Sequence, residues 1–346
     1  MAAHQFQHRK RCLDYLTAAR PGIGNRDRIP RLGGGSLNSP GENREHWLDD
    51  LSLGLGAWAW GDRLVWQYGR DYGEPEIRQA FEASIARGIV LIDTAEVYGS
   101  GRSERYVGQF ARERGADVLV ATKFFPWPWR LGPGAVPTAL RNSLARLEIP
   151  RVDLYQIHGP SPLVSVELLA KGLVECVQSG LARSVGVSNF HEGQMLRAYT
   201  TLARNGIPLA SNQVHFSLLN RDVEKNGLLA RCRELGVKLI AYSPLEMGLL
   251  TGKYGPDHVP AGSRALRYPA LLRRIHPLLR RMTEIGQDHG GKANAQVALN
   301  WAIRKGALAI PGAKNGEQAE ENAGALGWSL SDAEVADLDA ISDRVA

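Results

Sequence analysis

The chain alternates between short apolar runs and longer stretches in which apolar residues recur with helical spacing. Eight such runs follow residue 50: LSLGLGA (51–57), GIVLIDTA (88–95), VLVATKF (118–124), VDLYQIH (152–158), SVGVSNF (184–190), SNQVHFS (211–217), KLIAYSP (238–244) and LAIPGA (308–313). Near-continuous apolar strands that alternate with helices are typical of a parallel sheet covered by helices. Eight strand–helix units in roughly 290 residues favour an α/β fold of the (β/α)8 TIM barrel type, built as a single domain.

An open, doubly wound sheet is the alternative architecture for such alternation. A dinucleotide site in that fold requires the pattern G-x-G-x-x-G between a strand and a helix. The segment GLGAWAWG (54–61) has its glycines at other spacings, and GGGSLN (33–38) precedes the first strand. The glycine pattern therefore disfavours the open sheet.

Residues 1–48 differ in composition from the rest of the chain. They hold eight Lys or Arg against four acids, and GNRDRIPRLGGGSLNSPGENRE (24–45) lacks periodicity. This composition predicts a basic, mostly disordered extension over residues 1–48, followed by a barrel domain over residues 49–346. HRKRCLDYLTAAR (8–20) allows a short helix within the extension. Two serines and four acids argue against a transit peptide. A native start further downstream remains a second explanation of this composition.

The charge distribution and the cysteines narrow the possible partners and compartments. The net charge is +6, but the excess of +4 in residues 1–48 leaves only +2 for the other 298 residues, which disfavours a nucleic-acid partner. No apolar run approaches the roughly 20 residues that span a bilayer, and no secretory h-region is present, so we expect no membrane association. Cys12, Cys176 and Cys232 are far apart. They predict a reducing, cytoplasmic location, without a disulfide framework or a metal site.

Polar residues end several of the predicted strands. Asp93 ends the second, Lys123 the third and His158 the fourth, and Tyr98 follows Asp93 in the segment IDTAEVYG (92–99). Taken singly, each residue has a structural explanation as a helix cap, a packing residue, a solvated strand end or a buried histidine. In a barrel, however, the carboxyl ends of all strands converge on one face, where active sites lie. The four residues are therefore predicted to share one site.

These four side chains suit proton transfer. A free tyrosine has a pKa of about 10, which a neighbouring ammonium such as that of Lys123 lowers. A semi-buried lysine requires a counter-charge, which Asp93 supplies, and His158 can donate a hydrogen bond to a substrate oxygen. The set predicts a proton donor for a developing alkoxide, and it contains neither a nucleophile–base pair nor a metal cluster.

The motifs around these residues resemble the aldo-keto reductase superfamily. They are DTAEVYG, ATKF, LYQIH, GVSNF, SNQVHFS, LIAYSPLEMGLLTGKY and IPGAKNGEQAEENAGA, in this order from residue 51 to the C-terminus. Within the superfamily they look more like the bacterial and plant-plastid branches, which include pyridoxal reductases and potassium-channel β subunits, than like the mammalian aldose reductases.

The resemblance implies NADPH-dependent reduction of a small-molecule aldehyde or ketone to an alcohol. Asp93, Tyr98, Lys123 and His158 would form the catalytic tetrad, with Tyr98 as the proton donor to the product of hydride transfer. The implied cofactor contacts are Ser188, Asn189 and Gln213 on the nicotinamide amide, Tyr242 stacked on its ring, Ser243, Leu245, Gly248, Leu249 and Lys253 in the seventh loop, and Gly312, Lys314, Gln318, Glu321 and Asn322 in the eighth. Lys314 would meet the 2′-phosphate of NADPH, although lysine lacks the bidentate fork of arginine.

The substrate pocket is predicted from aromatic residues in the loops after the first and third strands. Its expected members are Trp58, Trp60, Phe124, Phe125 and Trp127, with Trp129, Trp66 and Tyr68 as further candidates. Residues 255–277 are interpreted as an insertion that closes over the cofactor.

The resemblance also allows a second function, that of an NADPH-binding, redox-sensing regulatory subunit with slow turnover. The basic extension favours docking to a partner, so a protein partner stays open.

Overall fold

The computed structural model describes residues 47–115, 118–132, 134–255 and 264–345, with side chains omitted for residues 264–270. Its eight strands are β1 (Leu55–Gly56), β2 (Leu91–Asp93), β3 (Leu119–Phe124), β4 (Val152–Ile157), β5 (Ala182–Ser188), β6 (Leu209–His215), β7 (Lys238–Tyr242) and β8 (Leu308–Ile310). They form one parallel sheet in the order of the sequence. Parallel bridges from Leu53 to Ala309 and from Gly56 to Gly312 join the last strand to the first. The predicted (β/α)8 barrel is thereby confirmed.

Helices connect the strands and cover the outside of the barrel. They are α1 (Glu74–Ala86), α2 (Arg102–Arg114), α3 (Ala135–Leu147), α4 (Val166–Gln178), α5 (Glu192–Ala203), α6 (Asp222–Lys225), α7 (Leu228–Glu234), α8 (Arg264–Asp288), α9 (Asn294–Arg304), α10 (Gly316–Ala323) and α11 (Asp332–Val345). Each contributes buried apolar residues to the larger hydrophobic core, which also includes residues of the strands. In the described parts of the chain, no helix combines the length and the apolar character needed to cross a bilayer.

Two of the predicted elements differ in the structure. The helical pattern of residues 223–236 predicts one helix, but the structure forms α6 and α7, because Gly227 adopts a left-handed φ of 84° between them. The interpretation of residues 255–277 as a covering insertion is not supported from Arg264 onward. There the chain enters α8, whose Leu272, Ile275 and Leu278 are buried in the core. The predicted helix at residues 8–20 lies outside the described residues.

The inward face of the barrel is built from alternate residues of the strands. Because side chains alternate between the two faces of a strand, Leu91 and Asp93 share the inward face of β2, as Ala121 and Lys123 do on β3. The amino-terminal part of this interior is an apolar cluster of Trp47, Leu48, Leu91, Ala121, Leu154, Ile240, Leu308 and Ile310. The polar residues lie one step further along, toward the carboxyl ends.

Trp47 and Leu48 pack within this apolar interior, although their sequence neighbours suggest the extension. Both are buried, and the Trp47 indole donates a hydrogen bond of 2.9 Å to Ser184 Oγ. The guanidinium of Arg183 lies 5.3 Å from the centroid of the Trp47 ring. The barrel therefore includes residues 47 and 48, two positions before the boundary predicted at residue 49.

Candidate active site

A buried ion pair lies at the centre of the site. The ammonium of Lys123 is fully buried, and it donates to Asp93 Oδ1 at 2.5 Å and to the Thr94 carbonyl at 2.9 Å. Asp93 Oδ2 accepts hydrogen bonds from Gln213 at 2.9 Å and from Gln156 at 3.4 Å. Burial opposes the charged form of Lys123, but attraction to Asp93 and to the Tyr98 phenol outweighs it, so the pKa of Lys123 is raised. Removing either member would leave a buried charge unpaired, at a cost of about 3–5 kcal/mol.

Tyr98 lies beside this ion pair, in a short 3-10 turn that follows β2. The centroid of its ring is 5.0 Å from Lys123 Nζ. Gly99 holds the turn against the first loop of the barrel, because its φ is 54° and a Cβ there would lie 2.7 Å from the Gly61 carbonyl oxygen. Burial raises the pKa of Tyr98, and Lys123 offsets part of this rise. The lysine acts in the predicted direction, but desolvation outweighs it, so the phenol is protonated at neutral pH.

His158 completes the group of four. Its ring meets the Tyr98 ring edge to face, with centroids 5.7 Å apart, and lies 5.5 Å from the Phe125 ring. Burial, with a smaller contribution from Lys123, lowers the pKa of His158 to about 3, so the imidazole is neutral. Its buried Nδ1 has no hydrogen-bond partner among the described residues. The structure therefore brings the four predicted residues together: Asp93, Tyr98 and His158 line one cavity, and Lys123 is buried against Asp93 and the Tyr98 ring.

A row of amides and hydroxyls follows on β5, β6 and β7. Asn189 has a φ of 59° and donates through Nδ2 to Ser188 Oγ and to the His158 carbonyl, at 3.1 Å each. The Tyr242 hydroxyl donates to Asn189 Oδ1 at 3.0 Å. Gln213 lies beside them and uses its amide nitrogen on Asp93. Ser188, Asn189, Gln213 and Tyr242 all line the cavity, as predicted from the sequence.

Behind Tyr242 lies a contact that sequence reasoning missed. The His215 ring stacks on the Tyr242 ring, with centroids 5.4 Å apart and planes 12° from parallel. His215 Nδ1 lies 3.0 Å from Asn220 Nδ2, which can only donate, so Nδ1 accepts and Nε2 carries the proton toward Glu246 Oε1 at 2.6 Å. Ser217 donates to the same Glu246 oxygen at 2.5 Å. No sequence motif signals this set, because its members come from two different loops.

The loop after β7 turns sharply beside the cavity. Ser243, Glu246 and Met247 have φ values of 51°, 49° and 51°, and Gly248 has 95°. Left-handed backbone at non-glycine residues is strained, and it often occurs at binding sites. Ser243, Leu245, Gly248 and Lys253 of this loop line the cavity as predicted. Leu249 is buried in the core and is absent from the lining that the structure describes.

The loop after β8 forms the opposite wall. Gly312, Lys314, Gln318, Glu321 and Asn322 all line the cavity, as the sequence predicts. Asn322 donates to the Gly312 carbonyl at 3.3 Å, and the Lys314 amide donates to Gln318 Oε1 at 3.0 Å. The Lys314 ammonium lies 4.7 Å from the centroid of the Tyr72 ring and 5.0 Å from that of Trp66. Lys314 is thus held over two rings from the first loop of the barrel, which the sequence did not indicate.

The predicted aromatic pocket residues divide between the cavity wall and the core. Trp58 and Phe125 line the cavity, and Trp66 joins them. Trp60 is fully buried and donates to the Ala313 carbonyl at 2.9 Å. Phe124 is also fully buried, because it follows the inward-facing Lys123 and so points away from the barrel interior. Neither residue belongs to the cavity wall that the structure describes, which corrects their prediction as pocket residues.

The remaining aromatic candidates lie away from the cavity wall. Trp127 stacks on Trp129 outside the described lining, with centroids 5.1 Å apart. Tyr68 is buried and donates to the Tyr106 hydroxyl at 2.7 Å. Trp127 therefore lies outside the cavity lining that the structure describes, and its contact with a substrate stays a prediction.

The site is one cavity of about 710 Å³ at the carboxyl ends of the strands. The buried ion pair, the tyrosine and the neutral histidine lie around one part of it, and the β7 and β8 loops bound another. A (β/α)8 barrel with such a group of four residues defines a candidate oxidoreductase of the aldo-keto type.

Comparison with known proteins agrees with this class. Residues 52–343 match the model of the aldo/keto reductase family. A chloroplastic pyridoxal reductase of Arabidopsis thaliana is 42% identical over 301 residues, covering 83% of this chain and 82% of that protein. L-glyceraldehyde 3-phosphate reductase of Escherichia coli K12 is 33% identical over 287 residues, covering 76% of this chain and 81% of that enzyme.

Solved structures show the same fold. A glycerol dehydrogenase from Gluconobacter oxydans has a TM-score of 0.74 at 28% identity, covering 85% of this chain and 92% of that one. An aldo-keto reductase from Klebsiella pneumoniae in complex with NADPH has a TM-score of 0.66 at 28% identity, covering 85% and 94%. The chain belongs to the aldo/keto reductase family.

Proposed function

We propose that this protein reduces an aldehyde or a ketone to the alcohol, with NADPH as the hydride source and Tyr98 as the proton donor. The observation that carries the proposal is the cluster of Asp93, Tyr98, Lys123 and His158. Three of its members line one cavity, and Lys123 is buried against Asp93 and Tyr98. Membership in the aldo/keto reductase family supports the reaction class. Both reductases named above take their names from aldehydes, which supports a small carbonyl compound as substrate.

The polar side chains on the cavity wall match the groups of nicotinamide adenine dinucleotide phosphate. Ser188, Asn189 and Gln213 would hold the carboxamide, because an amide offers one acceptor and two donors to such side chains. Tyr242 offers a flat ring beside them. The β7 loop would bring Leu245, Gly248 and Lys253 to the pyrophosphate, with Lys253 supplying a positive charge. The Gly248 amide itself donates to the Leu245 carbonyl at 2.9 Å and so shapes the turn. Bound NADPH would supply the hydride. The NADPH complex of the Klebsiella pneumoniae relative supports this assignment.

The β8 loop would hold the adenosine end. Lys314 carries the charge that a 2′-phosphate requires, and Gln318, Glu321 and Asn322 lie around it on the cavity wall. Cation–π contacts with Trp66 and Tyr72, and a hydrogen bond of 3.4 Å to the Trp66 carbonyl, help to fix the position of the ammonium. The lysine is therefore suited to a compact phosphate dianion.

Tyr98 holds the proton that the reduced carbonyl oxygen must receive. Its raised pKa keeps the phenol protonated before reaction, and the ammonium of Lys123 stabilises the phenolate that proton transfer leaves behind. Asp93 in turn holds Lys123 in its charged form. Neutral His158 can donate a hydrogen bond to the same carbonyl oxygen and orient it without competing as an acid.

The regulatory alternative has no observation in its favour among the described residues, because the feature that suggested it lies in residues 1–46. The proposal includes a cytoplasmic location, which rests on the reducing environment that buried free Cys176 and Cys232 suit.

The test is the oxidation of NADPH by the purified protein in the presence of pyridoxal, methylglyoxal and aromatic aldehydes, with product alcohols identified by mass spectrometry. We expect turnover with at least one class and stoichiometric alcohol. NADPH binding without turnover on any carbonyl would instead support the regulatory function.

A further inference from the structure

A row of aromatic rings leads away from His158 along the loop after β3. The centroid of Phe125 lies 5.5 Å from that of His158, Trp127 lies 4.5 Å from Phe125, and Trp129 lies 5.1 Å from Trp127. The two indoles are nearly parallel, with 5° between their planes. Phe125 lines the cavity and Trp129 is 73% exposed. The row therefore begins at the cavity wall and ends in solvent.

The loop that carries these rings is fixed by hydrogen bonds and an ion pair. The buried Glu96 carboxylate accepts from the Phe125 amide at 2.7 Å and from the Arg130 guanidinium at 2.5 and 3.1 Å. The amide of Trp127 donates to the Phe125 carbonyl, and that of Arg130 to the Trp127 carbonyl, at 2.9 Å each. A proline follows each of the first two rings and restricts the backbone further. The rings are thus held in place before any ligand binds.

The surroundings of this row are apolar as well. The large hydrophobic side chains that are exposed in the described residues all lie on loops at the carboxyl end of the barrel: Leu64, Val65, Trp129, Leu131, Leu163 and Met247. Grouped exposed apolar side chains mark a binding surface more often than singly scattered ones do, and Met247 of this set lines the cavity itself. Trp129 is the largest of them, and its ring row connects directly to the cavity.

We propose that Phe125, Trp127 and Trp129 form a subsite for a flat, apolar extension of the substrate. The inference rests on the proposed carbonyl reduction and names its substrate class, which is an aldehyde or ketone that carries an aryl or polyaryl group. The carbonyl lies at Tyr98 and His158, and the extension passes Phe125 and covers the Trp129 ring. A rigid aromatic row loses little conformational entropy when such a group stacks on it, so its contacts contribute to binding.

The experiment compares two aldehydes that share the reacting group, propanal and biphenyl-4-carbaldehyde. For the variants Trp129→Ala and Trp127→Ala, we expect the kcat/KM for the biphenyl aldehyde to fall about 10- to 100-fold, which is the range typical of a lost apolar contact in a pocket. The loss should come mainly from a higher KM. The kcat/KM for propanal should stay unchanged, because that substrate ends before the indoles. Leu131→Ala is the matched control, since it removes an exposed apolar side chain of the same loop but no ring.

Direct binding separates this inference from the proposed function. Biphenyl-4-methanol is titrated into the NADP-loaded wild-type and variant proteins by calorimetry. Weaker binding to Trp129→Ala than to Leu131→Ala supports the subsite even if the wild-type protein reduces no aldehyde, in which case the proposed function fails alone. Equal loss for both aldehydes, or no selective loss in kinetics and in binding, would overturn the subsite and leave the row as a structural or partner-binding feature.

Discussion

The imidazole of His215 stacks on the phenol ring of Tyr242, with the two planes 12° from parallel. Glu246, from the strained turn after β7, accepts a hydrogen bond from His215 Nε2 at 2.6 Å. One side chain therefore links the ring proposed to meet the nicotinamide with the turn proposed to meet the pyrophosphate. We interpret His215 as a positioning residue that fixes both parts of the cofactor site.

This relationship predicts the effect of His215→Ala. Loss of the stacking and of a hydrogen bond to a carboxylate should weaken NADPH binding by about 1–2 kcal/mol, or about 5- to 30-fold, because such bonds contribute at least that much. The kcat at saturating cofactor should change far less. Fluorescence titration of NADPH and steady-state kinetics measure the two effects. His289→Ala is the control, since His289 pairs similarly with Glu334 at 2.8 Å but is not part of the described cavity wall. Unchanged NADPH affinity in His215→Ala would contradict the role.

The position of Lys314 predicts selectivity between the two nicotinamide cofactors. Lys314→Ala should weaken NADPH binding by about 5- to 150-fold, which corresponds to about 1–3 kcal/mol for a charge-assisted contact. NADH binding should stay nearly constant, and the NADPH effect should shrink as salt rises. Equilibrium titrations with both cofactors at two ionic strengths provide the measurement. Equal losses for NADPH and NADH would show that Lys314 acts only by holding Trp66 and Tyr72 in the first loop.

The burial of Trp47 indicates how much of the N-terminal part of the chain can be removed without loss of stability. Trp47→Ala in the full chain should destabilise the fold by about 3–5 kcal/mol, since a buried indole and its hydrogen bond to Ser184 are lost. The melting temperature should fall by roughly 5–15 °C. Deletion of residues 1–46 should leave it nearly unchanged, which calorimetry of both proteins can check. A large drop caused by the deletion would show that those residues support the barrel.

The neutral state of His158 predicts a pH dependence of stability. Its pKa is about 3 in the folded protein against 6.5 for the free side chain. The unfolded chain therefore binds more protons in this window, and the folded state loses stability as pH falls from 6.5 toward 3. Between pH 6.5 and about pH 5, the free energy of unfolding should fall by on the order of 1.5 kcal/mol more in the wild-type protein than in His158→Gln. Urea unfolding of both proteins at the two pH values measures this difference. Equal losses of unfolding free energy in the two proteins would contradict the assigned pKa.

Much of the site was predictable because strand ends in a barrel converge. The residue types at the ends of β2, β3 and β4 identified Asp93, Lys123 and His158 without knowledge of any distance. Period-two alternation could also have corrected one error in advance. Phe124 directly follows the inward-facing Lys123, so it had to face the helices.

Other features depend on contacts between loops that no local pattern encodes. The pairing of His215 with Glu246 and that of Glu96 with Arg130 join residues 31 and 34 positions apart. The cation–π contact of Lys314 with Trp66 joins the first and the eighth loop. Trp60 looks like a pocket residue in sequence, and only its hydrogen bond to the Ala313 carbonyl shows that it belongs to the core.

The most direct test of the proposed reaction is Tyr98→Phe, which removes one hydroxyl and keeps the ring. We expect carbonyl reduction to fall by about 10²- to 10⁴-fold, since the phenol gives up its proton only in the transition state. NADPH affinity should stay within about 2-fold of the wild type, because no ground-state contact of the cofactor is assigned to that hydroxyl. Tyr106→Phe, which removes a hydroxyl that pairs with Tyr68 outside the described cavity wall, should reduce the rate little. Removal of a general acid typically lowers the rate by at least about 10²-fold. A Tyr98→Phe protein that retains more than about a tenth of the wild-type rate would therefore contradict the role of Tyr98 as the proton donor.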